Sequence, residues 1–301
     1  MNYWPEQNSF RLVYVLNFQR MMQLFHDSAF ECSRNITEKY STSFTLGIKA
    51  LSSKFHEAIF AIYGFVRVAD EIVDTFHDFD KKTLLEEFKA DTYKAIEQGI
   101  SLNPVLHAFQ LTVHKYGIDT ALIDSFLYSM EMDLTEKNYK QENYEEYIYG
   151  SAEVVGLMCL KVFCNNDEAL YEQLKEPARK LGSAFQKVNF LRDLKSDYKE
   201  RGRVYFPDVD FENFCESEKS KIEAEIQSDF EDAYHGIVQL PQSSKFGVYL
   251  AYVYYLRLFK KIQSTPAERI MESRIRVSDT GKMALFAKSY FNSMILGVYA
   301  P

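Results

Sequence analysis

Few residues in this chain can stop a helix. Its 301 residues include only twelve glycines and seven prolines, and residues 65–98 contain neither. Glycine and proline are the main punctuation between secondary-structure elements, so their scarcity restricts the chain to long helices joined by short connections. Apolar residues recurring at three and four positions predict helices over 24–38, 54–76, 81–98, 104–116, 119–135, 143–164, 167–198, 218–235, 244–263 and 280–298. Breaks fall at "SLNP" (101–104), "GRVYFPDVD" (202–210) and "LPQSS" (240–244). Only "RVYF" within the second break reads as a strand, and it is short. The expected class is all-α. No low-complexity linker divides the chain, so residues 24–298 read as one helical domain. Residues 1–23 are set apart as a dispensable N-terminal tail, with Met21-Met22 as an alternative start.

Hydrophobic residues make up 47% of the chain, ample for a core. With 24 Phe and 21 Tyr, the aromatic supply suits either an ordinary core or the walls of a deep apolar pocket. The net charge of −8, without a Lys/Arg block, argues against general affinity for nucleic acid or anionic lipid. It leaves room for a local basic pocket. Cys32, Cys159, Cys164 and Cys215 form no CxxC pair, as expected of free thiols in a reducing cytoplasm. No signal peptide is visible. The most apolar run, "FGVYLAYVYYLRLF" (246–259), is too short to span a bilayer and reads as a buried helix. Gly-rich phosphate loops, HExxH and G-x-S-x-G are all absent.

Two helical faces break the pattern of a plain core. Ile59, Tyr63, Val66, Asp70 and Asp74 fall within an arc of roughly 80° at 100° per residue, so an apolar track runs into two stacked carboxylates. Arg67 borders that face, and Glu71, a quarter turn away, is expected to face solvent. An isolated i, i+4 acid pair is usually a solvated helix end. A second helix repeats the feature, however: Gln186, Asn189, Asp193 and Asp197 also share an arc of roughly 80°, on a helix otherwise carrying Phe185, Val188, Leu191 and Leu194. Like charges so stacked repel in the absence of a cation. Carboxylates with substrate phosphates and water are a common Mg²⁺ shell. Arg67, Arg192, Lys195, Lys199, Arg201 and Arg203 supply positive charge beside them for a diphosphate.

These residues resemble the squalene/phytoene synthase family of all-α isoprenoid synthases, most closely its bacterial phytoene synthases. The likeness runs from about 24 to 290 in four ordered blocks. "YSTSF" (40–44) carries Tyr40, Ser43 and Phe44. "AIYGFVRVADEIVD" (61–74) matches the first aspartate motif, Arg67 included. "YIYGSAEVVGLM" (147–158) carries Tyr147, Ala152 and Gly156. "AFQKVNFLRDLKSDYKERGRVYFP" (184–207) carries Gln186, Asn189, Arg192, Asp193, Asp197, Arg203 and Tyr205. Thr42 stands where many members have a basic residue. Glu153 replaces a small glycine beside a helix expected to line the cavity, which bears on pocket shape.

The resemblance implies a single helical bundle around a central apolar cavity. It implies Mg²⁺, or Mn²⁺ in its place, on Asp70, Asp74, Asn189, Asp193 and Asp197. Tyr40, Ser43, Arg67, Gln186, Asn189, Arg192 and Arg203 are the implied diphosphate contacts. Asp70, Asp74, Tyr147, Asp193 and Asp197 are the implied catalytic set, with the Tyr147 and Tyr40 rings facing cationic carbon. The implied reaction joins two prenyl diphosphates head to head through a cyclopropyl diphosphate. Two geranylgeranyl diphosphates would give phytoene without NADPH; two farnesyl diphosphates would give squalene or dehydrosqualene. The expected setting is cytoplasmic, with loose attachment at a membrane surface for product release, and no nucleic-acid partner. Asp133 reads equally as a site residue or a helix-surface acid, and Arg274 is a further candidate for diphosphate. His77 and His235, each three residues after an aspartate, read as solvated. A non-catalytic scaffold would be expected to have lost ligands, and a di-iron protein would need Glu-x-x-His pairs, which the chain lacks. A head-to-tail prenyl transferase or class I cyclase would be expected to show D-D-x-x-D. Asp70-Glu71 comes close, but the second block fits neither.

Overall fold

The computed structural model describes residues 6–136, 139–197, 202–207, 209, 214–295 and 299, without the side chains of 6–18, 279, 283, 294 and 295. In chain order the helices are α1 (Glu6–Tyr40), α2 (Thr42–Lys49), α3 (His56–Asp74), α4 (Lys81–Gln98), α5 (Pro104–Tyr116), α6 (Thr120–Thr135) and α7 (Gln141–Ile148). They continue with α8 (Val154–Cys164), α9 (Glu168–Lys195), α10 (Glu216–Ile237), α11 (Gln242–Gln263), α12 (Ala267–Ile270) and α13 (Asp279–Tyr290). Among the described residues there is no strand; "RVYF" contributes a single bridge, in which the Tyr139 N–H donates to the Val204 carbonyl at 3.1 Å.

The helix ends follow local chemistry. Asp80, Asn103, Asp119 and Asp167 cap α4, α5, α6 and α9, each accepting from a first-turn N–H. Pro104 opens α5, and Gly117 closes it in the left-handed region at φ 59°. Three features differ from the sequence reading. Helix α1 begins at Glu6 rather than 24, so residues 6–23 continue the same helix. Helix α2 was not expected; the Ser41 hydroxyl caps it by accepting from the Phe44 N–H at 3.2 Å. The helix expected over 143–164 is broken by a π-helical turn at Tyr149–Glu153, a wider register that packing imposes and apolar periodicity does not reveal. Residues 141–164 are together long and apolar enough to cross a membrane by length and composition, but over half of that stretch is buried in the bundle.

Two apolar clusters hold the bundle. The first joins α3, α4, α5, α6 and α8, and the second joins α9, α10 and α11 to the α6–α7 region. Fully buried Phe65 is the hub of the first: its ring stacks on Phe109 at 3.9 Å between centroids and meets Phe88 and Phe126 at 5.5 and 5.4 Å. It fixes α3 against three neighbours while the opposite face of α3 remains free to line a cavity. On the other side, buried Lys187 donates to Asp229 at 2.7 Å, and the Ser183 hydroxyl donates to the same carboxylate at 2.8 Å. These contacts tie α9 to α10 and set the rotation of α9. The two helices come close where Gly236 crosses Pro177: a Cβ at Gly236 would lie 2.3 Å from the Pro177 Cβ.

Truncation of the hub tests this packing. Phe65→Ala is expected to lower stability by about 3–5 kcal/mol, read as a lowered midpoint of denaturant unfolding.

Candidate active site

The clusters enclose a cavity of 1130 Å³ walled by members of both. The track predicted on α3 lines it from end to end: Ile59, Tyr63 and Val66 form wall, and Asp70 and Asp74 follow. Gln186, Asn189, Asp193 and Asp197 line it from α9 and the turn after it. Tyr40, Ser43, Arg67, Tyr147, Arg192 and Arg203 complete the sequence-derived set, so the structure brings all twelve of those residues to one cavity. Lys195 does not line it, and Lys199 and Arg201 lie outside the described residues. The lining also includes the apolar residues Ile48, Leu51, Leu160, Phe163, Leu174, Ile237 and Leu240.

Asp70, Asp74 and Asp193 are each approached by an arginine. Asp74 Oδ1 accepts from Arg203 Nη1 at 3.1 Å. Asp193 lies between Arg192 Nη2 at 2.5 Å and Arg274 Nε at 2.6 Å. Asp70 stands 4.0 Å from Arg67 Nη1. Enclosure in the cavity pushes the Asp70 carboxyl up to about 7; Arg67 opposes the rise, and Asp74 and Asp133 add to it. Glu71 does not face solvent as expected. Its side chain is only 13% exposed and pairs with Arg67 four residues earlier, since i, i+4 positions share a helix face. The Arg67 guanidinium also sits 4.4 Å above the Tyr40 ring centroid, which occupies one face of that ring. Arg67 Nε is buried without a hydrogen-bond partner.

Two undecided residues and one unforeseen one belong to the site. Asp133 is buried, not on the surface: it accepts from the Tyr147 hydroxyl at 2.8 Å and from the Tyr139 hydroxyl at 3.5 Å. Arg274 reaches the cavity from the segment after α12. Tyr255 of α11 donates to Asn189 Oδ1 at 3.3 Å and stacks on Phe185 at 3.9 Å, which orients the amide. No motif surrounds Tyr255, and in sequence it is one more aromatic of an apolar helix. Glu153, expected near the cavity, does not line it; its carboxylate accepts from Arg179 Nε at 2.7 Å. His77 and His235 are exposed, as expected.

Among the described residues no three acidic, imidazole or thiol groups converge tightly enough to cage a metal. The donor chemistry nevertheless fits hard cations. Two carboxylate pairs and an amide come from two helices, and Asp70 is short of positive charge. Mg²⁺ takes few protein ligands and completes its shell with phosphate and water.

A model of the squalene/phytoene synthase family matches residues 37–280. The phytoene synthase of Arthrospira platensis is 26% identical over 296 residues, covering 89% of this chain and 94% of its own. The chloroplastic phytoene synthase 1 of Zea mays is 25% identical over 297 residues, covering 89% and 69%. A solved dehydrosqualene synthase shares the fold with a TM-score of 0.76 at 21% identity, over 91% of this chain and 98% of its own. The squalene synthase of Alicyclobacillus acidocaldarius does so at 0.70 and 18%, over 83% and 97%. The architecture is that of the helical isoprenoid synthases.

The outward course of Glu153 has a measurable consequence. Glu153→Gln is expected to leave turnover and product length unchanged and to lower stability by about 1 kcal/mol or less, as for a partly exposed ion pair. Product chromatography and thermal unfolding check the two halves.

Proposed function

Because the chain belongs to the squalene/phytoene synthase family, we propose that it joins two geranylgeranyl diphosphates head to head into phytoene through a cyclopropyl diphosphate. One observation carries this reading. Paired aspartates and arginines line a large cavity that also has an extended apolar wall, the layout required by a substrate with a diphosphate head and a long hydrocarbon tail. Its volume of 1130 Å³ exceeds the roughly 300–1,000 Å³ usual for a single small ligand, in keeping with two prenyl chains. The C20 choice rests on relatives named phytoene synthases at 25–26% identity. Two solved structures of like fold are named dehydrosqualene synthase and squalene synthase, which makes farnesyl diphosphate the second reading.

Mg²⁺, held by Asp70 and Asp74 on one side and Asn189, Asp193 and Asp197 on the other, would supply Lewis-acid charge to the departing diphosphate. Arg67, Arg192 and Arg203 take diphosphate oxygens as charged donors, with Gln186, Ser43 and Tyr40 as neutral ones. Binding exchanges partners: each arginine leaves a carboxylate for a phosphate. The apolar wall excludes water, which would otherwise quench an allylic cation as an alcohol. The Tyr147 ring offers a π face to that cation. The phytoene route needs no NADPH, and an apolar product leaves the cytoplasmic enzyme toward a nearby membrane surface.

Purified protein with Mg²⁺ and geranylgeranyl diphosphate, without NADPH, is expected to yield a hexane-extractable C40 hydrocarbon that vanishes on chelation. Product from farnesyl diphosphate alone would move the assignment to a C30 enzyme. Asp70→Asn and Asp193→Asn are each expected to lower turnover on the order of 10²-fold or more, with the helical circular dichroism retained. Normal turnover in either would contradict the assignment.

A further inference from the structure

The net charge of −8 conceals an asymmetry along the chain. Residues 245–301 carry nine Lys and Arg against three Asp and Glu, whereas residues 1–244 carry 26 against 40. After Asp279 the sequence contains no acidic residue. The fold gathers part of this positive charge beside the cavity. Arg274 and Arg276 line it from the segment between α12 and α13, and Lys282 lines it from α13. Lys261 of α11 donates to the Arg276 carbonyl at 2.7 Å. Arg257 lies one turn before Lys261, and both are exposed.

Helix α13 carries the apolar counterpart. On its inner side Leu285 and Phe286 line a small crevice that shares Ser43, Ala251, Tyr254 and Lys282 with the cavity. Phe286 also meets Phe246 of α11 at 6.2 Å between centroids. On its outer side Thr280, Ala284, Ala287 and Lys288 are exposed. Tyr290 at its end and Phe291 in the turn that follows are 47% and 51% exposed. A solvated helix face ordinarily mixes charges of both signs, as on α4, which exposes Lys82, Glu86, Glu87, Asp91, Lys94 and Glu97. Beyond its first residue, the outer face of α13 has one lysine and no acid. A helix so poor in charge on both sides is ordinarily buried on both.

We propose that the outer face of α13, with Lys288 and the adjoining basic residues, is a docking surface for an anionic lipid bilayer. Interfacial helices have this composition: aromatic and aliphatic side chains reach the acyl boundary while lysine and arginine meet anionic headgroups. Salt screens exposed charges beyond about 10 Å at 0.1 M, so the more distant acids of the chain contribute little to what this face meets. A second copy docked about a twofold axis would set the same positive charge against itself, whereas a bilayer of opposite charge complements it. The surface stands on charge and exposure, whichever prenyl diphosphate the cavity takes. Its use rests on the function proposed above: docked on α13, the enzyme holds its cavity beside the phase in which prenyl tails and an apolar product dissolve.

The test is co-sedimentation of the purified chain with vesicles of phosphatidylcholine, alone or mixed with phosphatidylglycerol, at low and high salt. Wild type is expected to bind the mixed vesicles at low salt, to release them at high salt, and to bind phosphatidylcholine alone weakly. Lys288→Glu combined with Phe291→Asn is expected to lower affinity for the mixed vesicles on the order of 10-fold or more, with the helical circular dichroism retained. Lys82→Glu makes the same charge change on the exposed face of α4 and should leave binding nearly unchanged. Should the Phe291 variant fail to fold, Lys288→Glu with Ala287→Glu, both at exposed positions, decides in its place. Wild type that ignores the mixed vesicles, binds both kinds equally, or loses as much through Lys82→Glu as through Lys288→Glu overturns the surface. So does self-association in place of vesicle binding, if Lys288→Glu abolishes it, because the face is then covered by a second copy. Vesicle binding by a chain inactive with both C15 and C20 substrates supports the surface and overturns the function alone, whereas an active chain that ignores vesicles overturns the surface alone.

Discussion

Asp70, Asp74, Asp193 and Asp197 are brought to one cavity by α3 and α9, and their like charges oppose that arrangement unless positive charge is interleaved with them. Arginine supplies it. Arg203 meets Asp74, Arg192 and Arg274 meet Asp193, and Arg67 approaches Asp70. These contacts offset the charge of a strongly acidic mouth and place guanidiniums at the same cavity in a chain that is acidic as a whole. Under the proposed function, cation and diphosphate would be the two halves of one exchange, in which carboxylates turn to metal and guanidiniums to phosphate. Each half is costly alone, because it strands a charge in a partly dry site.

The scaffold permits this because the site helices are secured on the faces turned away from the cavity. Phe65 packs α3 into the first cluster, and Lys187 and Asp229 lock α9 onto α10. Lys187 lies about 100–160° around α9 from Gln186, Asn189 and Asp193 at 100° per residue. Side chains mounted on such rigid elements are placed more closely than side chains on loops. The closing contact is the exception: Arg203, from the segment after α9, donates to the Asp133 carbonyl and to Asp74, bridging α6 and α3.

Much of this was legible in the sequence because helical geometry converts spacing into direction. Asp70 and Asp74 follow Ile59, Tyr63 and Val66 on one face, and that face lines the cavity. What escaped depends on partners distant in sequence. The burial of Asp133 is set by Tyr139, Tyr147 and Arg203, and the part played by Tyr255 by its contact with Asn189. Glu71 turns from solvent because the long guanidinium of Arg67 reaches it across one helical turn, an i, i+4 charge pairing that face angle alone does not show. Glu153 was read by its neighbours in the motif, whereas Arg179 draws it out of the cavity. Helix α2 is short, and only its Ser41 cap marks its start.

The most direct measurement is calorimetric titration of the protein with inorganic diphosphate, with and without Mg²⁺, in wild type and in Asp70→Asn. The exchange of partners predicts tight binding only when Mg²⁺ is present, and its loss in the variant although every arginine remains. Diphosphate binding of equal strength in chelator, or unaltered in Asp70→Asn, would contradict a site in which the aspartates hold the metal that holds the diphosphate.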